Sequence, residues 1–89
     1  MLNDIFLERY PNVDLHGYDR DSARMITNDF IDENYTLGNK IIVIIHGIGS
    51  GILKDEVHST LKHNKKVLDY KLDNFNSGCT IVKLNVKNE

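Results

Sequence analysis

Asp14, His16 and His46 are the residues of this chain whose types and placement best suit proton transfer. A neutral imidazole titrates near physiological pH and can take or give a proton, and a neighbouring carboxylate can orient it. Asp14 and His16 sit two apart in the alternating run Val13-Asp14-Leu15-His16, which stops at Gly17. The two-residue period of a strand puts both ionisable groups on one side and Val13 and Leu15 on the other. His46 opens a run of another kind, His46-Gly47-Ile48-Gly49-Ser50-Gly51, preceded by Ile41–Ile45 and followed by a helical pattern from about Ile52. A strand, a glycine-rich turn and a helix start, in that order, leave backbone N–H groups where an anion can reach them. Plainer roles compete: a strand-end histidine can cap backbone, Asp14 can bond the following turn, and the glycines can serve only the turn's torsions.

The elements that must position these residues follow from the pattern around them. Ile41–Ile45 is a run of β-branched residues suited to a strand buried on both faces, so it belongs mid-sheet with parallel pairing. Upstream, Asp19 is a candidate N-cap with Asp21 in the first turn, and Ala23, Ile26, Phe30 and Leu37, with Ile31 and Asn34 between, trace an apolar stripe that Gly38 ends. Downstream, Leu53, Val57 and Leu61 repeat every four residues from Ser50, a candidate N-cap, to an end near His63 or Asn64. His58 and His63 on that helix read as surface residues, and Lys62, Lys65 and Lys66 complement the dipole at its end. Leu68, Tyr70 and Leu72 alternate with charged residues as a half-buried strand, Asn74–Gly78 turns the chain, and Cys79–Val86 alternates again, with Thr80, Val82 and Leu84 on one side.

The order strand, helix, strand, helix, strand, strand predicts a two-layer α/β domain with both helices on one sheet face, because crossovers are right-handed. A short helix is expected over Leu2–Tyr10, ending at Pro11, so that residues 1–10 form an N-terminal segment and 11–89 the domain. Since helices cover one face only, that segment is expected to cover Ile42 and Ile44 with Leu2, Ile5 and Phe6. A second copy or another protein is the alternative.

Eighty-nine residues make one small domain with a modest core. No apolar run approaches a membrane span and no secretory signal opens the chain, so the expected location is cytoplasmic, without a membrane partner. Cys79 is the single cysteine, which excludes an internal disulfide or a multi-thiolate zinc site and reads as a small buried strand residue. Net charge is −2, unevenly spread: residues 1–37 carry eight carboxylates against three Arg, and residues 38–89 carry eight Lys against five carboxylates. The second half could draw phosphate, weakly compared with a strongly basic domain. The glycine loop lacks the Gly-Lys-Ser/Thr ending of an ATP-binding P-loop, which ranks nucleotide binding last.

Three separated motifs, Val13-Asp14-Leu15-His16-Gly17, Ile44-Ile45-His46-Gly47-Ile48-Gly49-Ser50-Gly51-Ile52-Leu53-Lys54 and Gly78-Cys79-Thr80-Ile81-Val82-Lys83-Leu84, resemble the small MutS-related (Smr) domain family over roughly Val13 to Leu84. The resemblance implies a sandwich like the C-terminal domain of translation initiation factor three, with a mixed four-stranded sheet whose last strand is antiparallel to the others. It also implies a stand-alone member of a family that includes DNA-nicking and RNA-cleaving endonucleases. The family's Leu-Asp-Leu-His-Gly motif falls on Val13 to Gly17, with Val for Leu, and its His-Gly-x-Gly motif on His46 to Gly49. Ile48 departs from the Lys or Arg that bacterial members commonly carry, and Lys54 stands where the family often has Arg.

On that resemblance, the expected chemistry is hydrolysis or transesterification of a phosphodiester. The amides of Gly49, Ser50 and Gly51 would hold a phosphate oxygen, and His16 or His46 would act as general base or acid. Asp14 would orient a histidine or hold a divalent cation, Mg²⁺ or Mn²⁺, with no other cofactor expected. Gly47, Gly49, Ser50, Gly51 and Lys54 form the expected phosphate-binding set. The alternative is a non-catalytic module that binds nucleic acid or a ribosome through the same loop and Lys54, with Lys62, Lys65 and Lys66 supporting; Ile48 and the negative net charge favour it. Partners are DNA or RNA, structured or ribosome-associated, with Tyr18 the one aromatic beside a motif. The expected state is a monomer or weak homodimer.

Overall fold

A computed structural model describes residues 9–87. The helix expected over Leu2–Tyr10, and the boundary placed at residue 10, lie outside these residues but for Arg9 and Tyr10. The order is β1 (Asn12–Asp14), α1 (Arg20–Leu37), β2 (Ile41–Ile45), α2 (Ile52–Lys62), β3 (Val67–Leu72) and β4 (Cys79–Leu84). In the sheet these strands lie as β1-β2-β4-β3. β1 runs parallel to β2, and β4 runs antiparallel to both β2 and β3. This is the mixed sheet with a reversed last strand that the family resemblance implies, and the structure seats that strand between β2 and β3.

Alternation along the strands assigns the faces. Ile42 and Ile44 join Val82 and Leu84 in one buried cluster with Ala23 and Ile31 of α1 and Val57 and Leu61 of α2. The helices therefore cover Ile42 and Ile44, which corrects the expectation that an N-terminal segment would. Val43, one residue out of phase, faces the other way, paired with Asn12 and Ile81, and is also fully buried.

Local chemistry sets the element ends. Asp19 caps α1, its Oδ1 accepting from the Ser22 N–H at 2.8 Å, and this bond holds its carboxyl below the ordinary 3.8. Gly38 closes α1 at φ +82, its N–H donating to Asn34 and Tyr35 carbonyls. Leu37 is exposed rather than part of the stripe, Asn34 is buried within it, and Thr27, which the stripe did not include, is buried too. Asn34 satisfies its amide by donating to Phe30 O at 2.8 Å. A register shift between Val67 and Asp69 turns Leu68 out of β3, where strict alternation would have placed it inward. Cys79 is buried in β4, and burial, with Asp73 and Asp14 nearby, pushes its thiol above the ordinary value.

Candidate functional site

The parallel register aligns Asp14 with Ile45, so β1 and β2 end at the same sheet edge, where α2 also starts. Ligands of α/β sheets gather at such carboxyl ends. Leu15, fully buried, extends the pairing through its N–H to Ile45 O at 2.7 Å, and the chain then turns, with Tyr18 N–H donating to Leu15 O. His16 emerges beyond that anchor with its side chain 82% exposed. Asp14 Oδ1 accepts from the His16 backbone N–H at 3.0 Å and lies 3.6 Å from its Nδ1. The carboxylate thus makes the turn bond of its plain role and also faces the imidazole.

The second strand end is built differently. His46 and Gly47 both donate their N–H groups to Gly78 O, at 2.9 and 3.0 Å, tying the loop to the turn between β3 and β4. A Cβ at Gly78 would crowd Asn76 Oδ1 at 3.2 Å and touch the Gly47 backbone at ordinary contact distance, 3.4 Å. Beyond it φ is positive at Gly47, Gly49 and Gly51 and at no other kind of residue, so the backbone alternates in hand through Ile48 and Ser50. Such alternation points successive N–H groups into one concavity. The N–H groups of Ile48, Gly49, Ser50 and Gly51 have no acceptor among the described residues.

Gly51, not Ser50, is the N-cap of α2, and it offers no side-chain bond. Ser50 Oγ only approaches the Ile52 N–H, at 3.4 Å. The first turn of α2 therefore keeps its outward donors, with the positive end of the helix dipole behind them. The loop, Lys54 and His16 line one open groove of about 340 Å³. Asp14 is not in its wall and reaches it only through His16. Ile48 and Ile52 are exposed beside the loop, and Tyr18 is exposed near its other end.

His46 lines the groove yet is 5% exposed. Its Nδ1 lies 2.9 Å from Gly47 O and its Nε2 2.8 Å from Thr80 Oγ1, so both ring nitrogens are engaged within the protein. Burial holds its pKa below the ordinary 6.5, with Lys54 adding to the effect and the Gly47 bond opposing it. His58, expected on the surface, is half-buried with Nε2 2.8 Å from the same Thr80 oxygen. Its pKa is lowered by burial, then by His46 and Lys54, against Asp55. The signal for this pair was available: Thr80 shares its inward face with Val82 and Leu84, and His58 follows Val57 of the buried stripe. Neither belongs to the loop motif that drew attention. His63 is exposed, its Nδ1 2.8 Å from Ser59 O.

Among the described residues no three His, Cys, Asp or Glu side chains converge as metal ligands. Asp14 alone supplies one carboxylate, with an oxygen already committed to His16 N–H. These residues do not fit a resident Mg²⁺ or Mn²⁺, which would need oxygen ligands in octahedral array. A larger depression of about 620 Å³ lies between the helices, where Arg24 pairs with Glu56 at 3.6 Å. There Lys66 pairs with Asp32 at 2.9 Å, so much of that depression's positive charge is already compensated.

A family model described as the Smr domain matches residues 13–85, a span holding both strand ends, the glycine loop and Thr80. The chain belongs to the Smr domain family. Within it, the chain is 37% identical over 76 residues to a protein named endonuclease MutS2 from Clostridium acetobutylicum, covering 82% of this chain and 10% of that one. A protein of the same name from Aquifex aeolicus is 41% identical over 61 residues, covering 68% and 8%. The chain thus spans about a tenth of the length of these curated relatives. Among solved structures, the Smr domain of Thermus thermophilus MutS2 superposes with a TM-score of 0.82 at 26% identity, covering 84% of this chain and 98% of that one. YdaL, a stand-alone small MutS-related protein from Escherichia coli, shares the fold with a TM-score of 0.81 at 24% identity, covering 88% and 68%. No helix among the described residues is long and apolar enough to cross a membrane.

Proposed function

We propose that this Smr domain binds a phosphodiester of DNA or RNA in the glycine loop and cleaves it with His16 as the proton-transfer group. The observation that carries the proposal is the run of four adjacent amides, Ile48 to Gly51, with no acceptor among the described residues, in one groove with Lys54 and the exposed His16. Backbone donors at a helix start hold a phosphate oxygen and stabilise the charge that grows there during attack. His16 would accept the proton of the attacking water or ribose hydroxyl, with Asp14 supporting the resulting imidazolium. His46, with both nitrogens engaged, supports the loop that holds the phosphate. The names of the MutS2 relatives make endonuclease chemistry the class to test first.

A second reading, binding without cleavage, is favoured by Ile48, which is 70% exposed at the position where a cation would grip phosphate, and by the net charge of −2. The test incubates the chain with supercoiled plasmid and with labelled structured RNA, with and without Mg²⁺ or Mn²⁺, beside folded Asp14→Ala, His16→Ala and Lys54→Glu variants. Cleavage lost in the first two supports the enzyme. Salt-sensitive binding without cleavage, lost in Lys54→Glu, supports the recognition module instead. Cleavage indifferent to Asp14 and His16 would remove the catalytic assignment.

A further inference from the structure

His58 sits inside α2, one turn beyond Lys54, and its ring packs against Tyr70 of β3 at 5.1 Å between centroids. Its Nε2 and that of His46 share the hydroxyl of Thr80, which is fully buried, each at 2.8 Å, and the two rings stand edge to face at 6.0 Å. Partner chemistry decides where the protons are. Gly47 O can only accept, so His46 Nδ1 carries a hydrogen and, in the neutral ring, Nε2 carries a lone pair. Thr80 must donate its single proton to that lone pair. Its oxygen is then left to accept, and His58 must be the Nε2–H tautomer. One direction satisfies every atom: His58 to Thr80, Thr80 to His46, His46 to Gly47 O.

The end of this chain is the phosphate loop. In a trans peptide the C=O and N–H point opposite ways, so holding Gly47 O against His46 turns the Ile48 N–H away from the ring. That N–H is the first of the four unpaired donors. We propose that His58 is a positioning residue which, through the Thr80 hydroxyl, fixes the tautomer of His46 and so holds the glycine loop in its phosphate-accepting form. This rests on the phosphate-loop reading above, but the tautomer claim can be tested without it. Removing the His58 donor frees the Thr80 hydroxyl to turn and His46 to exchange tautomers. The peptide between Gly47 and Ile48 then loses its fixed orientation.

Nitrogen-15 spectra of the imidazoles in the full chain test the first part directly. They should show His46 as the Nδ1–H tautomer and His58 as the Nε2–H tautomer at a pH where both are neutral. Finding His46 protonated on Nε2 would overturn the proposal without any variant. His58→Leu should then give mixed tautomers at His46 and weaken binding of a short single-stranded oligonucleotide by about tenfold. His58→Gln, whose amide N–H can reach Thr80, should restore both readouts, which a loss of packing would not allow. A folded His58→Leu chain with unchanged His46 tautomer, or a Gln variant as impaired as Leu, refutes the role of His58. If the unmodified chain binds no oligonucleotide while its tautomers are as assigned, the relay stands as a fixed feature and the phosphate-loop reading fails.

Discussion

Protonation of His46 would put a hydrogen on Nε2 and break a donor sequence that admits one arrangement, because that nitrogen could no longer accept the single proton of Thr80. A proton added to half-buried His58 would go to Nδ1, outside that sequence. His46 and His58 are both held below 6.5, chiefly by burial, and their environment includes Lys54 and Asp55 on α2 and Tyr70 on β3. A native pKa below the unfolded one means that the unfolded chain takes up protons first as pH falls. Their contribution is therefore intact above 6.5 and is lost as pH drops from there through the lowered native values. Denaturation midpoints should fall between about pH 7.5 and about pH 5.5, above the range where carboxylates titrate, and the fall should be smaller in His58→Gln. An equal fall in that variant would show that His58 does not contribute. The residue scale is also where the sequence was least legible. Asp14, His16 and His46 are conspicuous by motif, but burial and partners separate an exposed His16 from an enclosed His46. The path to Thr80 and His58 crosses 34 and 22 residues of chain, which no local pattern encodes.

At the scale of elements, the loop from His46 to Gly51 needed little beyond its sequence to be read: three glycines in alternate positions between a β-branched strand and an amphipathic helix. What could not be read was which residue caps the helix. Ser50 has the right chemistry, yet Gly51 takes the position because its backbone is left-handed at φ +84. The same limits apply to Leu68, exposed by a bulge that leaves no mark in the alternation. Ile48 offers the sharpest test of the loop, since it is exposed in the groove wall and its replacement disturbs no core. Ile48→Lys should tighten oligonucleotide binding and steepen its log–log salt dependence by about 0.7 to 0.9, the value of one added phosphate contact. An unchanged slope would place bound phosphate away from this loop.

Taken whole, the molecule places the residues proposed for proton transfer and anion binding at one sheet edge and its hydrophobic cluster between the sheet and two helices. The sequence carried this architecture well, because alternation in β4 and four-residue spacing in α2 each name a buried face. At this scale it misjudged which side of β2 the helices take, since five consecutive β-branched residues look alike from both faces. Ile44, fully buried, pairs with Val13 and Thr80 on the helix side. Ile44→Ala should cost about 2–5 kcal/mol, a large share of the roughly 5–15 kcal/mol that holds a small domain folded. A midpoint shift in urea at constant slope would measure it, and a loss well under the lower figure would mean the site collapses around the smaller residue.

The insertion of β4 between β2 and β3 has a further consequence for how the domain comes into being on the ribosome. The fourth of these strands in chain order is the one that links β3 to the β1–β2 pair, through its pairing with β2 on one side and β3 on the other. Until residues 79–84 have emerged, β3 has no partner in the sheet and the amide-bearing loop has no Gly78 carbonyl to anchor it. A nascent chain can form its helices and the β1–β2 pair early, but the loop is anchored only after β4 is seated, so a partly made copy would lack the groove proposed to hold phosphate.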